Sequence, residues 1–122
     1  MGKTIMIVDD SASLRQVVAI ALRGAGYDVL EACDGADGLR KLVGQKVHLI
    51  VSDVNMPNLD GISFVKAVKQ LAAYRFTPIV MLTTESAANR KAEGQAAGAK
   101  AWVVKPFNPP QLLAVVQKLV LP

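Results

Sequence analysis

Five apolar runs of strand length recur along this chain, and between each pair lies a stretch with helical spacing of apolar residues. Thr4–Val8, Val29–Ala32, Leu49–Ser52, Pro78–Leu82 and Ala101–Val104 read as strands. Ala12–Gly24 reads as a helix, because Leu14, Val17, Val18, Ala21 and Leu22 recur three and four residues apart. Further helices are expected from Asp34, a helix cap, through Val43, at Ile62–Leu71, near Ala87–Ala97, and after the cap Asn108, where Pro109 occupies a first-turn position that tolerates proline. Strands alternating with helices imply a parallel sheet with helices on both faces. The third run, Leu49–Ser52, is apolar almost throughout, as suits a strand covered on both sides. The expected fold is therefore α/β, a doubly wound (βα)5 sheet with right-handed crossovers.

The length of 122 residues suits one domain, so residues 1–122 are read as a single unit with no further domain. With 52% hydrophobic and 20% charged residues, the chain buries a core and stays soluble. No segment approaches the roughly 18–20 consecutive apolar residues of a membrane span, and the amino-terminal apolar run is too short for a secretory signal. Cys33 is the lone cysteine, which excludes an internal disulfide and fits a reducing compartment. In VLEAC it is expected on a strand, as a small buried hydrophobe. A cytoplasmic location is expected. The formal charge of +4 is spread thinly and has few aromatic companions, so neither nucleic acid nor membrane is an expected partner.

The acids are the concentrated feature. Asp9 and Asp10 follow the first strand and Asp53 follows the third; Thr83 and Thr84 follow the fourth, and Lys105 the fifth. Ligands of open parallel sheets bind beyond the carboxyl ends of the strands. If strands one and three are neighbours, three carboxylates converge. Like charges so placed repel, and each raises the pKa of the others, unless positive charge sits among them. A divalent cation and a lysine are the natural candidates. Mg2+ binds through a few carboxylates while keeping waters and phosphate oxygens.

IVDDS, SDVNMPNLDG, MLTTES and VVKPF, in this order and in register with the strand–helix rhythm, make the chain resemble the receiver domain of bacterial response regulators from about Thr4 to Leu119. The resemblance implies the strand order 2-1-3-4-5 found in flavodoxin and CheY. It implies that Asp53 is the phosphoacceptor, that Asp9, Asp10 and Asp53 hold Mg2+ together with the backbone carbonyl of Asn55, that Lys105 pairs with the phosphoryl oxygens, and that Thr83 hydrogen-bonds the phosphoryl group. The Lys105–Pro106 bond resembles one that is cis in the family. Asn55, Glu85 and GAKAWVVKPF resemble the single-domain chemotaxis type, CheY-like proteins. That implies a sensor histidine kinase as phosphodonor, a flagellar motor switch protein or another effector on the face built by the fourth helix, fifth strand and fifth helix, and a phosphatase as a further partner. Trp102 stands at the switch position in place of the usual tyrosine or phenylalanine, and Thr84 stands where a smaller residue is common.

Other residues carry no chemistry in this reading. Asp60 with Gly61 reads as a helix start, and His48 as a peripheral residue. Three functions are weighed: a phosphorylation switch; a Mg2+-dependent phosphatase or transferase; and a flavin-binding module. The enzyme class needs a second acid two residues after the nucleophile and a substrate-covering cap, but that position is Asn55 and the chain has no room for a cap. The flavin module needs a Ser, Thr and Gly-rich phosphate loop after the first strand, where DDSAS presents two negative charges. The expectation is a switch that catalyses only its own phosphorylation and dephosphorylation. Within that class, a phosphate sink or a regulator of a non-flagellar pathway is the alternative.

Overall fold

The computed structural model describes residues 2–54, 56, 59–84, 91–105 and 108–120. Asn55, Pro57, Glu85, Ala87 and Pro106 lie outside the described residues, and so do the readings placed on them. Strands β1 (Thr4–Val8), β2 (Asp28–Ala32), β3 (Leu49–Asp53), β4 (Ile79–Thr84) and β5 (Ala101–Lys105) alternate with helices α1 (Ala12–Gly24), α2 (Gly35–Leu42), α3 (Gly61–Gln70), α4 (Lys91–Ala97) and α5 (Pro109–Leu119). All pairings are parallel, in the order β2-β1-β3-β4-β5. The strand order reverses beside β1, with β3 on its other flank, and this sets the ends of β1 and β3 next to each other.

The period of two divides each strand between two cores. Ile5, Ile7, Leu49, Val51, Val80, Leu82 and Val103 pack with Val18, Ala19 and Leu22 of α1 and Leu112 and Val116 of α5. Met6, Val8, Ile50, Ile79 and Met81 face the other way, toward Leu42 of α2 and Ile62, Phe64, Val65 and Val68 of α3. A central strand covered on both faces explains why all five residues of β3 are buried. Among the described residues, no helix is long and apolar enough to cross a membrane.

Local signals fix the helix starts. Ser11, Asp34, Asp60 and Asn108 each accept a hydrogen bond from the backbone N–H three residues on, satisfying a donor that the first turn leaves open. Asp60 is thus the helix start that its sequence suggests, and Pro109 sits in the first turn of α5.

Several expectations need correction. Cys33 is exposed and lies just beyond β2, so it is neither a strand residue nor a buried hydrophobe. Its N–H donates to Asp37 Oδ2 at 3.0 Å, a contact that bends the chain out of the strand and into α2. Asp53 and Lys105 end their strands, and Thr83 and Thr84 are the last two residues of β4, so none of the four opens a loop. His48 is not peripheral: it stands at the amino end of the central strand β3, is half-buried and accepts the Thr4 N–H on Nδ1 at 2.9 Å, tying the start of β1 to that of β3. A 3₁₀ turn at Ala72–Tyr74 has no counterpart in the hydrophobic pattern.

Candidate functional site

The carboxyl ends of β1 and β3 carry the acids. Val8 pairs with Ser52 in the register of these two strands, so Asp9 and Asp53 stand side by side one residue further. Carboxylate oxygens of Asp9, Asp10 and Asp53 all lie within 4.8 Å of one another. Asp9 and Asp53 are buried and Asp10 is exposed. Such a set of hard oxygen donors, open to solvent on one side, fits a Mg2+ ion that retains waters.

Each acid has a distinct local setting. Ser11 caps α1, so neither Asp9 nor Asp10 is used as the cap. Asp9 Oδ1 accepts the Ser11 N–H at 2.8 Å. Asp10 makes no recorded hydrogen bond or ion pair among the described residues, so its carboxylate is uncommitted. Asp53 Oδ1 accepts the Val54 N–H at 2.9 Å and is 3.1 Å from Lys105 Nζ. The same ammonium lies 3.5 Å from Asp9 Oδ2. Lys105 therefore bridges the two buried acids from the far side of β4. The register explains its reach: Lys105 pairs with Thr84, and Asp53 with Leu82.

The Asp53 carboxyl is pushed above the usual carboxylate range. Burial is the main cause and the neighbouring Asp9 charge the second; Lys105 and the Val54 N–H oppose them. One lysine does not neutralise three acids, so the site favours a further positive charge.

Thr83 is fully buried at the end of β4, one residue past the partner of Asp53. By strand alternation it shares a face with Met81, and Met81 pairs with Trp102. Trp102 is half-buried against the α3-side core, and its indole Nε1 is buried without a hydrogen-bond partner among the described residues. A Cβ at Gly94 of α4 would come within 2.5 Å of the ring atom Cζ3, so the absence of a side chain there is what admits the indole. The structure thus brings Asp9, Asp10, Asp53 and Lys105 together, with Thr83 beside them and Trp102 behind Thr83 on the same face.

Two contributors escape the sequence reading. Arg15 Nη1 donates to the Asp9 carbonyl at 2.6 Å, and its Nε lies 3.5 Å from Glu31 Oε1. Its place one turn into α1 from the Ser11 cap is a sequence signal for such a reach. Gly61 approaches the end of β3 so closely that a Cβ would lie 2.1 Å from the Asp53 carbonyl oxygen and 2.7 Å from Val54 Cα. Its N–H donates to the Val54 carbonyl at 2.7 Å. Gly61 therefore seats the backbone that carries Asp53, a role beyond starting a helix.

Comparison with known proteins gives a consistent picture. The family model described as response regulator receiver domain matches residues 5–117. Protein PilG of Pseudomonas aeruginosa is 33% identical over 116 residues, covering 95% of this chain and 86% of that protein. The phosphate regulon transcriptional regulatory protein PhoB of the same species is 38% identical over 114 residues, and there the chain spans 50% of the relative's length. The solved structure of the chemotaxis response regulator CheY4 of Vibrio cholerae superimposes with a TM-score of 0.92 at 48% identity, covering 98% of this chain and 99% of that one.

Proposed function

From the premise that this chain belongs to the response regulator receiver domain family, as a CheY-like receiver of two-component signalling, we propose that it is a phosphorylation switch whose acceptor is Asp53. The observation that carries the reading is the convergence of three carboxylates within 4.8 Å, with Lys105 Nζ 3.1 Å from one of them. Asp53 ends a central strand and cannot retreat, so its carboxylate is presented as a nucleophile at a fixed place. Attack by a carboxylate oxygen on a phosphohistidine forms the O–P bond of an aspartyl phosphate and breaks the P–N bond, and the departing imidazole takes up a proton. Asp9, Asp10 and Asp53 would hold Mg2+, joined by the Asn55 carbonyl; a bound Mg2+ supplies positive charge to the phosphoryl oxygens.

Lys105 bridges Asp9 and Asp53 before phosphorylation and is placed to follow the phosphoryl oxygens afterwards. The Thr83 hydroxyl donates to the phosphoryl group. Thr83 and Trp102 share a face, so a move of Thr83 changes the space open to the indole. That couples the acceptor to the surface of α4, β5 and α5, which binds the effector; the resemblance assigns Glu85 to the same role. The chain acts on its own phosphate and not on a separate substrate. It works in the cytoplasm.

The phosphodonor is a histidine kinase of the chemotaxis type, and the output is control of flagellar rotation through a motor switch protein, with a phosphatase to reset it. The 48% identity to a chemotaxis response regulator supports this output. A phosphate sink or a regulator of another pathway is the second reading, supported by the similarity to PhoB, a phosphate regulon transcriptional regulatory protein. Labelling by acetyl phosphate or a phosphohistidine kinase tests the acceptor: modification must require Mg2+ and vanish in Asp53→Asn. Full, Mg2+-dependent labelling of that variant refutes it. Capture of flagellar switch proteins by the beryllofluoride-treated chain, and not by the untreated chain, tests the output.

A further inference from the structure

The opposite end of the sheet has a different character. A groove of about 490 Å³ opens there between the segment Gly44–His48 and the 3₁₀ turn residues Ala73 and Tyr74. Its walls are fixed. The Tyr74 hydroxyl donates to the Gln45 carbonyl at 2.6 Å and also reaches the Leu42 carbonyl. Backbone bonds from Gln45 to Leu42, from His48 to Thr4 and from Thr77 to Tyr74 hold both rims. A pocket held in place by such bonds is present before any ligand arrives.

Three large apolar side chains on the flanking chain segments take no part in either core: Val43, 75% exposed; Phe76, 88% exposed; and Leu71, 38% exposed. A nearly fully exposed phenylalanine contributes nothing to folding by burial, and side chains of this kind serve contact surfaces. Basic residues stand near them in the sequence. Lys46 and Arg75 are exposed and form no ion pair among the described residues. Lys69, at the end of α3, spends its ammonium on the Thr77 carbonyl and is held below the usual lysine range by burial and by Lys100. The one described acid at the start of a strand is Asp28, on β2, which β1 separates from β3.

We propose that this groove at the amino ends of the strands, lined by Lys46 and flanked in sequence by Val43, Arg75 and Phe76, docks an acidic protein segment that carries an apolar anchor side chain. Charge complementarity with Lys46 and Arg75 selects the sign of the partner, and the groove selects an anchor of side-chain size. A second copy of this chain has acids at its other end, but a contact between unlike ends does not close on itself and would cover Asp53. The docking surface lies across the sheet from the acidic site and does not depend on the phosphorylation reading.

The test uses the 15N-labelled chain and a short fluorescent peptide of glutamates flanking a Phe-Leu pair. Amide shift changes confined to residues 44–48 and 73–77 are expected, with saturable anisotropy. Arg75→Glu and Phe76→Ser should each weaken binding about tenfold, roughly 1.4 kcal/mol. Lys118→Glu, on α5, should leave binding unchanged, and acetyl phosphate labelling of Asp53 should itself be unchanged in all three variants. Absence of saturable binding overturns the proposal. Equal binding of a lysine-containing counterpart, shifts centred elsewhere, or insensitivity to Arg75→Glu does the same. Preferential binding of phosphatidylserine vesicles would assign the surface to a membrane instead, and sedimentation showing self-association lost in Arg75→Glu would assign it to a second copy. Loss of labelling with intact peptide binding would count against the phosphorylation reading alone.

Discussion

Gly94→Ala is the sharpest probe of how α4 meets β5. Replacing glycine by alanine inside a helix ordinarily stabilises by up to about 1 kcal/mol, since alanine loses less backbone freedom on folding. Here the added Cβ would sit 2.5 Å from Trp102 Cζ3, 3.3 Å from Cη2 and 3.4 Å from Cε3. Overpacking of that kind costs about 1–3 kcal/mol unless the ring leaves. The sum predicts a protein from about equally stable to about 3 kcal/mol less stable. In a Trp102→Val background the ring is gone, and the same change should stabilise by up to about 1 kcal/mol. The coupling between the two sites is then about 1–3 kcal/mol.

Urea melts followed by circular dichroism give the four stabilities. In the tryptophan background, Gly94→Ala should also move the indole outward, which acrylamide quenching detects. The buried Nε1 has no hydrogen-bond partner among the described residues, so expulsion carries little hydrogen-bonding cost there and exposure of the N–H to water favours it. Equal stabilisation in both backgrounds, together with unchanged quenching, would show that Gly94 is not the seat of the ring.

Further outcomes follow from the same geometry. Because the folded pKa of Asp53 is raised, its contribution to stability is fully present below the usual carboxylate range and is lost as pH rises through the raised value. Metal-free Asp53→Asn should therefore melt at higher urea than the parent at neutral pH, with the gap closing in acid; a gap constant with pH would contradict this. Asp10→Asn should weaken Mg2+ binding, measured by titration, while chelator-treated stability is unchanged or raised by up to about 1 kcal/mol; a clear loss of stability would point to a structural role for Asp10. Gly61→Ala should cost about 1–3 kcal/mol or more in urea melts and slow acetyl phosphate labelling, because the Cβ is driven into the Asp53 carbonyl. Mg2+ with beryllofluoride should reduce acrylamide quenching of Trp102, and Thr83→Ala should blunt that change; identical quenching with binding confirmed would remove Trp102 from the switch.

The sequence made some features legible and hid others for physical reasons. Period-two and period-3.6 apolar patterns report burial directly, so all five strands and the extent of α1 could be read from it. The acids were legible because Asp9, Asp10 and Asp53 sit at strand ends, where a parallel sheet gathers them. Strand ends were less legible: hydrogen bonding in the sheet carries β4 through Thr84 and β5 through Lys105, although polar residues there look like the start of loops. Cys33 was misread because a side-chain acceptor four residues ahead, Asp37, ends β2, and apolar composition does not encode that bond.

Closeness between distant parts of the chain was the least legible of all. Gly61 and Gly94 look alike in sequence, two glycines at or in helices, yet one faces the Asp53 carbonyl and the other an indole. Neither meaning exists until the helix is packed on the sheet. The same holds for Trp102, whose face the run Ala101-Trp102-Val103-Val104 does not disclose. Pairing with Met81, which faces the α3-side core, decides it. In the proposed switch, the acceptor chemistry rests on residue types that a sequence displays, whereas its coupling to a surface rests on the space that Gly94 leaves open. A receiver with a side chain at the position of Gly94 would present its indole differently at the same acidic site, so partner choice can change while the phosphorylation chemistry is kept.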